Sequence, residues 1–166
     1  MILHPAILAL LISSLLICVM VVYAAWYGVQ IVARWNIDSG SEVQLGLERR
    51  TYFVATIVNW FLAIQIASLF LLVYTADAIH PLFSGTMCAV GTFDVNRFGF
   101  PLVLIKLVTA VLAGVWLIVN YTDNQVSDYP LVKFKYWFLI VLTPVIIVEN
   151  IVQWAYFIGL HPNIIT

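Results

Sequence analysis

The sequence has little charge. Of its 166 residues, only 9% are Asp, Glu, Lys or Arg, whereas a soluble domain of this length carries about a quarter. The formal net charge is −1 and the basic residues are not clustered, which argues against nucleic acid as a partner. Hydrophobic residues make up 64% and the mean hydropathy is +1.06. The chain is therefore predicted to be an integral membrane protein that lies in a lipid bilayer.

Cysteine is also scarce. Cys18 and Cys88 are too few for a disulfide framework, and no CxxC or CxxCH motif is present. This excludes a thioredoxin-type site and covalent c-type haem, and a small quinone-linked thiol oxidoreductase would need the missing CxxC. We therefore expect a non-catalytic membrane subunit rather than an enzyme, although the sequence leaves that question open.

The N-terminus lacks the basic residues that begin a signal peptide, and its apolar run is too long for one, so we predict a retained first span. A span needs about 20 apolar residues to cross about 30 Å of hydrocarbon. Four such stretches occur, at about residues 3–33, 52–79, 101–120 and 136–160. The predicted fold class is an all-α integral membrane protein, a four-transmembrane-helix bundle that forms a single domain over residues 1–166.

The basic residues predict the orientation. The loops 34–51 and 121–135 lie on one side of the bundle, and the loop 80–100 lies on the other with Arg97 alone. Five basic residues fall in the first two loops: Arg34, Arg49, Arg50, Lys133 and Lys135. The positive-inside rule places those loops in the cytoplasm. Both termini and the 80–100 loop are then outside, in the periplasm if the membrane is a bacterial inner membrane.

Each of the three histidines precedes a proline and lies near a predicted span end on the outer side: His4, His80 and His161. The outer loop adds Met87 and Cys88. Imidazole and sulfur ligands gathered at one depth would suit haem b or a copper or zinc ion. The alternative is that His and Pro are simply common where helices meet lipid head groups. Both interpretations stay open.

Two ionisable residues are predicted near the outer surface. Measured from His80 and Pro101, Asp77 and Lys106 lie at similar depth. The sequence predicts either a salt bridge between the second and third spans or a contact with a ligand or cofactor.

Three polar residues are predicted near the middle of the membrane: Glu149, Gln65 and Gln153. Glu149 and Gln153 are four residues apart and share a helix face. With no cation expected at its depth, Glu149 is expected to carry its proton, because hydrocarbon disfavours the charged form. These groups could bind a quinone, relay protons, or hold the helices together through a bond between Glu149 and Gln65.

The leading hypothesis is a membrane-embedded subunit of a redox or electron-transfer complex. It would have haem or metal at its outer face and a quinone or proton route near mid-membrane, and other membrane subunits as partners. One alternative is a structural accessory subunit with no cofactor. Another is a small transporter or ion channel that uses Glu149 and Lys106.

Overall fold

The computed structural model describes residues 5–35, 41–83, 95–123 and 129–160. Their side chains are described within 5–35, 41–71, 101–121 and 133–155. These parts of the chain are helical apart from the short segments that flank the helix ends.

Four α-helices follow one another along the chain: α1 (Pro5–Arg34), α2 (Glu42–Phe83), α3 (Val95–Asp123) and α4 (Tyr129–Leu160). Each contains a segment long and apolar enough to cross a membrane: Pro5–Arg34, Glu42–Leu71, Pro101–Tyr121 and Lys133–Ala155. This confirms the prediction of an all-helical chain with four helices of membrane-spanning length. The side of the membrane on which each end lies stays a prediction.

The helices extend beyond the predicted spans. The loop predicted over residues 34–51 is shorter in the structure, because α2 already begins at Glu42. Helix α3 begins six residues before Pro101. Hydropathy locates the segment that lies in hydrocarbon, whereas helical hydrogen bonds continue into water without any apolar requirement. The start of α2 has a local cause, since Ser41 Oγ accepts a hydrogen bond from the Gln44 backbone N–H at 3.2 Å, which is an N-cap.

Each helix packs against two neighbours, α1 and α3 both lying between α2 and α4. Successive helices run antiparallel, because Leu10 early in α1 clusters with Leu69 late in α2, whereas Ile31 late in α1 clusters with Leu47 early in α2. The bundle therefore has an up-down-up-down arrangement. We call the end with Arg34, where α2 and α4 begin, the basic end, and the opposite end the far end.

Apolar side chains form three layers along the bundle axis. The layer at the basic end contains Ala24, Ile31, Trp35, Leu47, Ala55, Trp116, Tyr136 and Leu139. The middle layer contains Ile17, Val21, Val58, Leu62, Ala113, Leu142 and Ile146. The layer nearest the far end contains Leu10, Leu69, Leu102 and Val103. Between the middle and far layers, every helix contributes a polar residue instead.

Close packing of α1 on α4 occurs at Gly28. A Cβ at this position would lie 3.7 Å from side-chain atoms of both Ile140 and Leu139 and 3.9 Å from Tyr136. These are ordinary van der Waals distances, so a methyl group fits but a larger side chain does not.

We expect Gly28→Ala to stabilise the protein by about 0.5–1 kcal/mol, because it lowers the entropy lost by a mid-helix glycine and adds contacts. Thermal unfolding in detergent, followed by circular dichroism, measures this. Gly46→Ala is the control, since a Cβ there would meet nothing within 4 Å and only helix propensity changes. Gly28→Leu should destabilise. A loss of stability in Gly28→Ala would show that α1 and α4 approach more closely than described.

Candidate functional site

A buried polar cluster lies on the axis of the bundle, between the middle and far apolar layers. All of its members are at most 8% exposed: Ser14, Gln65, Lys106, Thr109, Glu149 and Asn150. They come from all four helices. We call this set the polar cluster.

Lys106 is its centre and is 0% exposed. Its Nζ donates to Gln65 Oε1 at 2.6 Å and to Asn150 Oδ1 at 3.2 Å. It also forms an ion pair with Glu149 Oε1 at 3.2 Å. An ammonium group has three N–H donors and no acceptor. Nζ thus has three oxygen atoms around it, two of them hydrogen-bonded and the third on a carboxyl group of opposite charge, which is the condition for holding a cation in an apolar interior.

The carboxyl group of Glu149 has two partners from α3. Its Oε1 faces Lys106, and its Oε2 lies 2.9 Å from Thr109 Oγ1. Lys106 and Thr109 are three residues apart and therefore lie on one face of α3. The side chains join α3 to α4 by an ion pair and a hydrogen bond at the same level.

Two amide side chains extend the polar cluster across the bundle. Gln65 Nε2 donates to Ser14 Oγ at 2.6 Å and to Asn150 Oδ1 at 3.1 Å. Asn150 Nδ2 donates to the carbonyl of Ile146 at 2.8 Å. Gln65 therefore binds α1, α3 and α4 at once, and its removal would leave donors and acceptors on three helices without partners.

Gln153 lies next to the polar cluster on the same face of α4, three residues after Asn150 and four after Glu149. It is 0% exposed, yet among the described residues neither its Nε2 nor its Oε1 has a hydrogen-bond partner. Leaving a buried polar group unsatisfied costs about 1–3 kcal/mol. Gln153 therefore offers one donor group and one acceptor that nothing in the described chain uses.

Three of the residues predicted for a cofactor or proton site meet at one point. Lys106 contacts both Glu149 and Gln65. Gln153 is one turn away. The prediction that no cation lies at the depth of Glu149 is wrong, because Lys106 is paired with it.

The predicted common depth of Asp77 and Lys106 is also wrong. Gln65, not Asp77, is level with Lys106, and Asp77 lies twelve residues or about 18 Å further along α2. The cause is that α2 continues through His80 to Phe83 while α3 begins before Pro101. His80 and Pro101 therefore do not mark one depth. The side chain of Asp77 lies outside the described residues.

The predicted haem or metal site falls almost entirely outside the described residues, which do not include His4, His161, Met87 or Cys88, and for His80 give the backbone alone. The helix ends next to the histidines, Pro5 and Leu160, do lie at the far end together with His80. Within the side chains that are described, no group of three or more His, Cys, Asp or Glu residues is placed to hold a metal ion. The haem or metal site stays a prediction.

Sequence reasoning missed three members of the polar cluster: Ser14, Thr109 and Asn150. A signal was present for two of them. Thr109 follows Lys106 by three residues, and Asn150 precedes Gln153 by three, so each shares a helix face with a residue already singled out. Ser14 is identified by its bond to Gln65.

The ion pair predicts a strongly non-additive pair of mutations. Lys106→Met leaves a buried carboxylate without its cation and should cost about 3–5 kcal/mol, and Glu149→Gln leaves the ammonium without its anion. The double variant should cost less than the sum, because no uncompensated charge remains. Unfolding by SDS from mixed micelles gives the free energies.

Lys133→Met is the matched control. Lys133 is half-buried near the start of α4, so its removal should change stability by about 0.5 kcal/mol or less. Additive effects of Lys106→Met and Glu149→Gln would contradict the pairing.

Comparison with known proteins yields no family model that matches this chain, and no significant match among curated proteins or solved structures.

Proposed function

We propose that this protein is a membrane-embedded subunit of a larger redox assembly, and that it binds the head group of a membrane quinone beside the polar cluster. The observation that carries the proposal is the Lys106–Glu149 ion pair next to Gln153, whose buried amide has no partner among the described residues.

The chemistry of a quinone fits this arrangement. A quinone is lipophilic, and its carbonyl oxygens accept hydrogen bonds, as Gln153 Nε2 can donate them. Reduction to quinol consumes two electrons and two protons. The electrons would come from the redox centre of a partner subunit, and Glu149 lies one turn from Gln153 as a group that can pass a proton.

The charges support a role beyond holding helices together. A buried ion pair stabilises little compared with apolar side chains of similar volume, and uncharged Ser, Asn and Gln already suffice to join membrane helices. Ionisable side chains inside a membrane segment usually mark a substrate, ion or proton site. The buried pair of Lys106 and Glu149 therefore favours a functional site.

The proposed location is a bacterial inner membrane. The basic end faces the cytoplasm of a bacterial inner membrane, following the distribution of Lys and Arg. The far end and both termini are then periplasmic. A haem or metal held by His4, His80 and His161 would adjoin the same end.

A second candidate is a structural accessory subunit without a cofactor. It is favoured by the surroundings of Lys106, whose Nζ has two hydrogen bonds and an ion pair within the chain. Apolar layers also cover the polar cluster on both sides. In that case the polar cluster only fixes the register of the four helices.

Quinone binding separates the two candidates. The protein, purified with any subunits that accompany it, is placed in lipid nanodiscs and titrated with short-chain ubiquinone and menaquinone. We expect Gln153→Leu to weaken binding by at least about tenfold, or about 1.4 kcal/mol. The same variant should be as stable as the wild type or more stable, because it removes an unsatisfied buried amide.

Gln44→Leu is the matched control, since Gln44 is a buried glutamine near the basic end whose Oε1 also lacks a hydrogen-bond partner among the described residues. It should leave quinone affinity unchanged. A wild-type protein that binds neither quinone, or a Gln153→Leu variant that binds as well as the wild type, would remove the quinone role and favour the structural subunit.

A further inference from the structure

Thr109 makes two short contacts through one hydroxyl group. Its Oγ1 lies 2.9 Å from the carbonyl oxygen of Ile105 and 2.9 Å from Glu149 Oε2. The first partner is one turn back on α3, and the second is on α4. Thr109 is 3% exposed, so both contacts are sheltered from water.

A hydroxyl has one proton to donate and two lone pairs to accept with. The Ile105 carbonyl can only accept. Two full hydrogen bonds therefore form together only when Glu149 Oε2 carries a proton and donates to Thr109 Oγ1, which in turn donates to Ile105. When Glu149 is ionised, the Thr109 hydrogen turns to Oε2 instead. One rotation of the hydroxyl satisfies either form of the carboxyl group.

The other oxygen of Glu149 tolerates both forms as well. Oε1 is ion-paired with Lys106 Nζ at 3.2 Å, and a neutral carboxylic acid protonated on Oε2 still presents a carbonyl oxygen there. The ammonium keeps Gln65 Oε1 and Asn150 Oδ1 as its other acceptors. Lys106 thus retains three oxygen partners whether or not Glu149 is charged.

We infer that Glu149 is a proton-binding site at Oε2, and that Thr109 is its positioning residue, with a hydroxyl that turns between Glu149 and Ile105. In the step, a proton adds to the carboxylate, an O–H bond forms, and the charge of the Lys106–Glu149 pair rises from 0 to +1. No electron moves. This inference adds a named proton site to the proposed function. It rests on the proposed function only for what the bound proton is used for.

The groups that face the carboxyl group from the other helices are known within the described residues. Lys106 on α3 is its ion-pair partner. Cys18 on α1 lies near Lys106, and Gln65 on α2 is uncharged.

Infrared spectroscopy of the whole protein in nanodiscs, titrated with acid in H₂O and D₂O, tests the inference without any quinone. We expect a carboxylic-acid C=O band that shifts in D₂O and is absent in Glu149→Gln. In Thr109→Val the band should move to higher frequency, because the acid has lost its acceptor, and Thr109→Ser should restore the wild-type position.

Thr143→Val is the matched control, since Thr143 is buried and its hydroxyl donates to the Leu139 carbonyl of its own helix at 2.9 Å. It should leave the band in place. Absence of a Glu149 band at every pH at which the protein stays folded would overturn the inference, and so would a band that Thr109→Val does not move. Either result leaves the quinone titration unaffected, so the two failures are distinguishable.

Discussion

A lysine ammonium group enclosed by four apolar helices needs three acceptors at once, and this need constrains the bundle. Lys106 hydrogen-bonds to one side chain of α2 and one of α4 and is ion-paired with a second side chain of α4, and Gln65 then joins α1 to the same point. Apolar packing between membrane helices is permissive about axial register, because lipid and leucine offer similar surroundings. The polar cluster is specific, since sliding one helix by a single residue would leave a charge or an amide unsatisfied.

The sequence was sufficient for the number and type of helices, because long apolar runs leave a helix as the natural way to satisfy the backbone in lipid. It was insufficient for depth. His80 and Pro101 are reasonable markers of span ends, but α2 runs past the first and α3 begins before the second. Depths counted from these two markers therefore put Lys106 level with Asp77 and predict no cation beside Glu149, whereas Lys106 is the cation that pairs with Glu149. Which polar side chains meet depends on axial register, which hydropathy does not record.

The position of the polar cluster connects its stability with its proposed chemistry. Middle and far apolar layers enclose it, so its hydrogen bonds and its ion pair act in surroundings of low dielectric constant, where each counts for more than in water. The same surroundings suit a lipophilic ligand. Gln153, beside the polar cluster, has an amide that no described residue hydrogen-bonds, and Thr109 has one hydroxyl proton for two oxygen neighbours.

Direct contact between Lys106 and Glu149 holds the polar cluster together. Solid-state NMR of protein in lipid bilayers, with ¹⁵N-labelled lysine and ¹³C-labelled glutamate, measures the dipolar coupling between Lys106 Nζ and the Glu149 carboxyl carbon. We expect a coupling that corresponds to the 3.2 Å contact of Nζ with Oε1 and that disappears in Lys106→Met. No coupling in the wild-type protein, or coupling of Lys106 to a different carboxyl group, would show that the two side chains are not paired.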